Sequence, residues 1–316
     1  MYHDFSSLTR LISQSKRVLV VTHTSPDGDA LGSVSAFLGY LQHLNKEAKG
    51  YCADNIPDNF KFLPWIATNV FSDIYDVFKF SPDLVVLLDI YETDRAKINE
   101  YINHKSGIRL AALDHHLVPL EYDLKKFDFA FIERFYSSTT HILAEYFESC
   151  NFHPPSNILD SLLFGIMTDT EVFTNSATTD YVLKTAYRLL KQGARFSSLL
   201  ERMRRFRTTR DLKEIGKILE RLIFNEKYKV LIAVIEEGKE DFAGGIANYL
   251  KKVYGVNVVF VVKSSSGQIK VSMRSLKNNI NVAEFAQIFG GGGHKMAAGF
   301  SLKGTLNMNK NKVWVE

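Results

Sequence analysis

The 316-residue sequence holds only two cysteines, Cys52 and Cys150. They are too few for a disulfide framework and lack the paired spacing of a zinc site, so both read as small core or surface residues in a reduced compartment. Long apolar runs are also missing. The stretch Val18 to Val21 is far short of the roughly 20 residues that a membrane span needs, and Met1 to Arg17 carries acidic and polar groups. A soluble, cytoplasmic protein with no membrane partner is the expectation. Charge of one sign is scarce: 39 Lys and Arg face 35 Asp and Glu, a net +4 that hints only weakly at anionic partners. No internal repeat is present, and the single low-complexity feature is the run Gly290 to Gly293.

What is present is an ordinary globular composition, 46% hydrophobic and 23% charged, in a chain long enough for two domains. The first half alternates short apolar strands with amphipathic helices, the pattern of a parallel sheet with helical crossovers. Arg17 to Thr22 reads as the first strand. After the turn Ser25-Pro26-Asp27-Gly28-Asp29, apolar residues at Leu31, Val34, Phe37, Leu38, Leu41 and Leu44 have helical spacing. Leu84 to Leu88 and Arg109 to Leu113 are nearly continuous apolar strands, as expected where both faces are covered. Ile158 to Met167 reads as a buried helix with Asp169 just past its end.

A helical stretch follows from about Asp180 to Phe224, broken near Gly193. Its arginines (Arg202, Arg204, Arg205, Arg207, Arg210) suggest nucleic acid. The apolar stripe Leu199, Leu200, Met203 and Phe206 favours the plainer reading of a solvated helix face. Beyond it, Lys229 to Ile235 and Val256 to Val262 are β-rich with a helix predicted over Phe242 to Tyr254 between them, and Gln268 to Arg274 alternates like a half-exposed strand. This predicts a smaller second α/β domain beginning near Asn225. The tail Asn307 to Lys312 is polar and expected to be mobile.

Chemistry concentrates where apolar elements end. Ile108 to Leu113 runs into Asp114-His115-His116, a mixture of hard oxygen and imidazole nitrogen that suits divalent manganese, iron, cobalt or zinc. The first strand runs into His23, followed by Asp27 and Asp29. Another apolar strand runs into Asp89, and the buried helix leads to Asp169. Each has a plainer explanation alone: the aspartates of the Pro-Asp-Gly-Asp turn also suit helix capping, and Asp89, Asp169 or the His-His pair could be ordinary element ends. Their joint position argues otherwise. In a parallel sheet, ligands bind outside the carboxyl ends of the strands, where these groups can converge. Two histidines and four or more carboxylates exceed what one ion requires, so two metal ions are the economical reading.

These residues carry a family resemblance over nearly the whole chain. His23 to Ser33 (HTSPDGDALGS), Asp89, Asp114-His115-His116 and Gly165 to Thr170 (GIMTDT) resemble, in order and spacing, the motifs of the DHH superfamily of phosphoesterases. Gly290 to His294 followed by Ala297-Ala298-Gly299 resembles the glycine-rich signature of a DHHA1 C-terminal domain, as in the branch with nanoRNases and bifunctional oligoribonuclease/pAp phosphatases. The resemblance implies an α/β fold: a DHH catalytic domain over 1–185 with a mainly parallel sheet flanked by helices, a helical linker over 186–224, and a DHHA1 substrate-binding domain over 225–316 with a mixed sheet.

The resemblance also implies roles. One metal ion would be held by His23, Asp27 and Asp89, the second by Asp29, Asp89, His115 and Asp169, with Asp89 bridging and manganese the usual metal. Asp114 would orient a histidine or the ions, and His116 would contact phosphate or assist proton transfer. Gly291, Gly292, Gly293, His294, Arg274 and Ser275 would grip substrate phosphate, although the glycines alone would equally suit a flexible turn. Ser138, within Ser137-Ser138-Thr139-Thr140, resembles a segment that faces substrate and would equally cap a helix; the role of His141 stays open. The implied activity is metal-dependent hydrolysis of short RNA or DNA oligonucleotides and linear dinucleotides such as pApA to nucleoside monophosphates, with pAp to AMP as a further reaction. A cleft between the two domains would suit such a short substrate. The alternatives are a RecJ-like single-strand-specific DNA exonuclease, disfavoured because no OB-type module is recognisable, a pyrophosphatase, and a nonenzymatic nucleotide-binding module. A homodimer is compatible with the resemblance.

Overall fold

The computed structural model describes residues 4–119, 122–204, 209–235, 243–250, 253–265, 267–309 and 313–316. It divides into two compact units, Met1–Phe206 and Arg207–Glu316.

In the first unit the chain runs α1 (Ser6–Gln14), β1 (Arg17–Val21), α2 (Gly28–His43), β2 (Glu47–Tyr51), α3 (Ile66–Asn69), β3 (Val70–Phe71), α4 (Ile74–Phe80) and β4 (Leu84–Leu88). It continues with α5 (Asn99–His104), β5 (Arg109–Asp114), β6 (Phe129–Ile132), α6 (Thr139–Ser149), α7 (Ser156–Asp169), α8 (Asp180–Gln192) and α9 (Phe196–Arg204). The sheet has the order β3-β2-β1-β4-β5-β6, and every pairing is parallel.

Because strand side chains alternate, the apolar strands feed two cores. Val18, Val20, Leu84 and Val86 join α1, α2, α6 and α7 on one face. Leu19, Val21, Val85 and Leu87 join α4 and α5 on the other. This double cover is why β1, β4 and β5 are legible as continuous apolar runs. Strands β2, β3 and β6 were not anticipated, since they lie toward the sheet edges and β2 reads Glu-Ala-Lys-Gly-Tyr, a half-exposed pattern with little apolar signal.

Helix α2 is buried almost all round, from Gly28 to Leu41, as befits a helix packed between the sheet and other helices. Helix α7 extends through Asp169, so this residue closes the helix rather than following it. The long helical stretch is interrupted as expected at Gly193, which caps α8 with φ of 111°. It does not persist to Phe224, because Ile223–Asn225 form a strand. Leu199 is buried, with Leu200 and Met203 packed against the same core. The Arg202 guanidinium lies 4.7 Å from the Phe62 ring, a packed position on the helix surface. Arg205, Phe206 and Arg207 fall outside the described residues, as do the side chains of Arg204 and Arg210.

The second unit comprises α10 (Thr209–Glu220), β7 (Ile223–Asn225), β8 (Val230–Ile235), α11 (Ala243–Leu250), β9 (Val258–Ser265), β10 (Gln268–Ser275), α12 (Val282–Ile288), β11 (Gly292–His294) and β12 (Ala297–Lys303). Its sheet, β11-β12-β10-β9-β8-β7, is mixed: β8 and β9 are parallel and the remaining pairs antiparallel. The chain ends in a hairpin of β13 (Leu306–Met308) and β14 (Val313–Val315). Of the tail expected to be mobile, Asn307 and Met308 are paired in this hairpin, with Trp314 and Val313; residues 310–312 lie outside the described residues. The helix expected over Phe242 to Tyr254 is described only as α11. Among the described residues no helix is long and apolar enough to cross a membrane.

Candidate metal centre

In the first sheet the chain proceeds outward from β1 to β2 and β3, then returns to build β4, β5 and β6 on the other side. The reversal between β1 and β4 opens a crevice at their carboxyl ends, the usual ligand position in such folds. His23 follows β1, Asp89 follows β4, and Asp114-His115-His116 closes β5. Asp89 leaves the strand in the left-handed region at φ of 61°, which aspartate tolerates better than most residues.

Asp89 is the hub. It is nearly inaccessible, at 3% exposure. Its Oδ2 lies 3.4 Å from His23 Nε2, and its Oδ1 lies 3.4 Å from His115 Nε2 and 3.6 Å from His116 Nδ1. His115 Nε2 is also 3.2 Å from Asp169 Oδ2. Donor atoms of His23, Asp27 and Asp89 lie within 4.8 Å of one another, as do those of Asp29, His115 and Asp169, and those of Asp89, Asp114, His115 and His116. The fold thus brings together all eight residues singled out at the strand and helix ends.

Local contacts decide how each is presented. Asp27 Oδ1 accepts the N–H groups of Asp29 and Ala30, capping α2, so the capping explanation and membership of the cluster hold together. His23 Nδ1 is 2.8 Å from the carbonyl of Thr24, which favours a proton on Nδ1 and turns Nε2 toward Asp89. Asp114, 1% exposed, takes the His116 backbone N–H on Oδ1 and sits 2.7 Å from His116 Nδ1 through the same oxygen, which orients that ring. Asp29 is buried completely, and its carboxylate is gripped by Thr139 and Thr140 at the start of α6. The carbonyl of Asp169 accepts from Asn175 Nδ2 at 2.7 Å, in a loop where Glu171, Val172 and Phe173 all have positive φ.

The electrostatics are those of a crowded acidic pit. Burial, then Asp89, pushes Asp29 up to about 7, while His115 and the Thr140 hydroxyl pull the other way. Asp169 is raised well above the usual carboxylate range by burial and by Asp29, and Asp27 is raised by its dense surroundings and by Asp89. Asp89 goes the opposite way: burial raises it, but the surrounding His115 and His23 hold it far below that range. For His23 and His115 burial favours the neutral ring, yet Asp89 and its neighbours lift them to about 9 and about 10. Buried like charges of this density are costly without a counter-charge. Oxygen and imidazole donors around a shared carboxylate fit divalent cations, in the class of manganese, iron, cobalt or zinc.

Ser138 is fully buried and caps α6, its Oγ accepting the His141 N–H at 3.0 Å. Thr139 and Thr140, the positions that reach the acidic residues, were visible in sequence only as part of the segment Ser137-Ser138-Thr139-Thr140, without a role of their own. His141 lies buried with Nδ1 3.3 Å from Ser137 Oγ and Nε2 3.2 Å from Thr185 Oγ1, against the rings of Tyr136 and Tyr181. Burial lowers it from 6.5 to about 4. An unfolded His141 therefore binds its proton before the folded one does: the contribution to stability is complete above pH 6.5 and is lost as pH falls toward 4. The loss should reach roughly 3 kcal/mol. Urea denaturation of wild type and His141→Asn between these limits should show a shallower pH dependence in the variant, and equal slopes would refute this.

In the second unit, β11 pairs His294 with Ala297, and β10 pairs Arg274 with the same Ala297. The backbones of His294 and Arg274 thus lie in one row, two strand spacings apart. Arg274 Nη1 donates to the Met273 carbonyl at 3.0 Å, and Ser275 is buried, its Oγ donating to the Lys277 carbonyl. The glycine run differs from a flexible turn, since Gly292 and Gly293 belong to the edge strand β11. A Cβ on Gly291 would fall 2.2 Å from the Gly299 carbonyl oxygen, and one on Gly293 2.5 Å from Ala298 Cα, so glycine is needed for close backbone packing. Gly292 has open space where its Cβ would stand. The His294 side chain lies outside the described residues.

Residues 17–166 match the DHH family N-terminal domain, and residues 211–312 match the DHHA1 domain. The chain belongs to the DHH/DHHA1 superfamily. Among its DHH relatives, the bifunctional oligoribonuclease and PAP phosphatase NrnA of Thermus thermophilus is 28% identical over 290 residues, covering 91% of this chain and 84% of that protein. The protein of the same name from Mycoplasma genitalium is 24% identical over 300 residues, covering 91% and 89%. Of solved structures, an exopolyphosphatase-related protein from Bacteroides fragilis has a TM-score of 0.85 at 22% identity, over 95% of this chain and 91% of that one. Thermus thermophilus RecJ, solved in complex with Mn2+, has a TM-score of 0.56 at 16% identity, covering 94% of this chain and 51% of RecJ. Both structural likenesses establish the fold.

Proposed function

We propose that this protein is a divalent-metal-dependent phosphoesterase that hydrolyses short oligonucleotides and linear dinucleotides to nucleoside monophosphates, and pAp to AMP. The observation that carries the reading is the shared carboxylate Asp89, which lies within ligand distance of two donor groupings at once, His23 with Asp27 and His115 with its neighbours. Relatives similar over most of their length are named oligoribonuclease and PAP phosphatase, which supports the substrate class.

In this reading His23, Asp27 and Asp89 hold one cation, and Asp29, Asp89, His115 and Asp169 hold the other, with manganese the preferred ion. Bound divalent cations supply an activated water and offset charge on the phosphoryl oxygens. The chain's own groups do the rest. Asp114 fixes the His116 ring through Nδ1, so a half-exposed imidazole is oriented for phosphate contact or proton transfer. Burial of Asp89 and Asp29 keeps water from competing for their oxygens. In the DHHA1 unit, the Arg274 guanidinium and the edge strand at Gly292 and Gly293 are the groups set to meet a substrate phosphate, with Ser275, His294 and Gly291, whose own N–H is given to the Ala286 carbonyl, beside them.

A product assay with Mn2+ tests this directly, comparing pApA, pAp, a two-nucleotide RNA, a long DNA strand and pyrophosphate. Release of monophosphates from the dinucleotides is the expected result, with slower attack on the long strand. Preference for the long strand would instead favour an exonuclease of the RecJ kind, and preference for pyrophosphate a pyrophosphatase. Nucleotide binding without turnover would leave a binding module.

A further inference from the structure

We propose that Thr139 and Thr140, the first two residues of α6, are positioning residues that set Asp29 and Asp89 for cation binding. This inference rests on the reading of the acidic cluster as a metal centre. Asp29 Oδ2 accepts the Thr139 N–H at 2.6 Å, while Oδ1 accepts the Thr140 N–H at 3.0 Å and the Thr140 hydroxyl at 2.6 Å. The Thr139 hydroxyl turns the other way and donates to Asp89 Oδ1 at 3.1 Å. All four residues are buried, so no solvent competes for these bonds.

The donor directions can be worked out. An ionised carboxylate only accepts, so the Thr140 hydroxyl gives its hydrogen to Asp29. Ser138 Oγ accepts from the His141 N–H and lies 2.9 Å from Thr140 Oγ1, so its own hydrogen goes to Thr140. The result is a directed hydroxyl chain, Ser138 to Thr140 to Asp29, in which each bond polarises the next. The N-terminus of α6 adds its partial positive charge toward the same carboxylate.

The close approach depends on glycine. A Cβ on Gly165 of α7 would fall 2.4 Å from Thr140 Cγ2 and 2.7 Å from Asp29 Oδ1, and one on Gly32 of α2 would fall 3.3 Å from Thr140 Cγ2. Three of the roughly four lone-pair directions of the Asp29 carboxylate are thereby filled. Only one, on Oδ2, is left for a cation, so Asp29 serves as a one-oxygen ligand in a fixed orientation. From α6 Asp89 receives a single hydrogen bond, the Thr139 hydroxyl, beside its contacts with His23 and His115. The two threonines therefore act on different parts of the centre: Thr140 on the grouping with His115 and Asp169, Thr139 on the carboxylate common to both.

Thr140→Val and Thr139→Val remove each hydroxyl while keeping shape and backbone N–H. Calorimetric titration of the full chain with MnCl2 should show Thr140→Val weakening one of two Mn2+ ions by about 10-fold to 100-fold, with the other bound as in wild type. Thr139→Val should weaken both, and Thr140→Ser, which restores the hydroxyl, should bind as wild type. Metal-free thermal unfolding, run in parallel, identifies variants that have merely lost their fold; should Thr140→Val be one, the Thr139→Val titration decides alone. Unchanged binding of both ions by a folded Thr→Val variant overturns the inference, as does a Thr140→Ser protein no better than Thr140→Val. A wild-type chain that takes up no Mn2+ overturns the metal reading itself, a result distinct from either.

Discussion

Asp89→Asn is expected to lower divalent-metal-dependent hydrolysis by at least roughly 100-fold while the protein remains folded. Asparagine has nearly the same volume, and it tolerates the left-handed backbone that Asp89 adopts at φ of 61°. What changes is charge and donor character. The carboxylate that lies 3.4 Å from both His23 and His115 becomes a neutral amide, and one of its two oxygens becomes a donor nitrogen. Both proposed cation sites lose their common ligand at once. Substitution of a residue belonging to one grouping, such as Asp27→Asn, should be milder. Steady-state hydrolysis of pApA across a Mn2+ titration checks this, with circular dichroism as the control for folding. Near-wild-type turnover by Asp89→Asn would remove the basis for a two-cation centre.

Gly165→Ala is expected to destabilise the protein by about 3 kcal/mol, against the usual sign for such a change in a helix. Alanine ordinarily stabilises a helix interior relative to glycine by about 1 kcal/mol, because it restricts the unfolded chain. Here the added methyl would meet Thr140 Cγ2 at 2.4 Å, Thr140 Oγ1 at 2.5 Å and Asp29 Oδ1 at 2.7 Å. None of these atoms can yield cheaply, since Thr140 and Asp29 are fully buried and hydrogen-bonded to each other. Helix α7 must move away from α2 and α6, or the grip on Asp29 must open. Chemical denaturation measures the first effect and Mn2+ calorimetry the second. A midpoint equal to or above that of wild type would show that the packing is looser than this geometry requires.

The strands that line the site were readable because they are covered on both faces. Val18 to Val21, Leu84 to Leu88 and Leu110 to Leu113 are unbroken apolar runs, and a polar residue at the end of such a run stands out. That contrast made His23, Asp89 and Asp114-His115-His116 visible without coordinates, and Asp169 stood out at the end of an equally apolar helix. The strands β2, β3 and β6 gave no such contrast: β2 mixes polar and apolar residues, β3 is two residues long, and β6 is a short, partly exposed Phe-Ala-Phe-Ile. In the second unit, the glycines of β11 carried no strand signal, because a residue chosen for close backbone approach has no side chain to alternate. The terminal hairpin was hidden for a related reason: its strands are three residues each, too short for a period.

By itself, then, the sequence determined the type of the strongly apolar elements, the parallel α/β class and the set of ionisable groups available for chemistry, because hydrophobic periodicity and strand-end polarity are local properties. Tertiary structure decided which oxygen of Asp29 meets which donor, that Asp27 caps α2 while remaining in the cluster, and that Asp89 lies between His23 and His115. Those relations join residues as far apart as Asp29 and Thr140, across a sheet whose chain reverses between β1 and β4. Hydrogen-bond direction and proton affinity depend on ångström-scale distances and on burial, and neither exists until the strands and helices have packed.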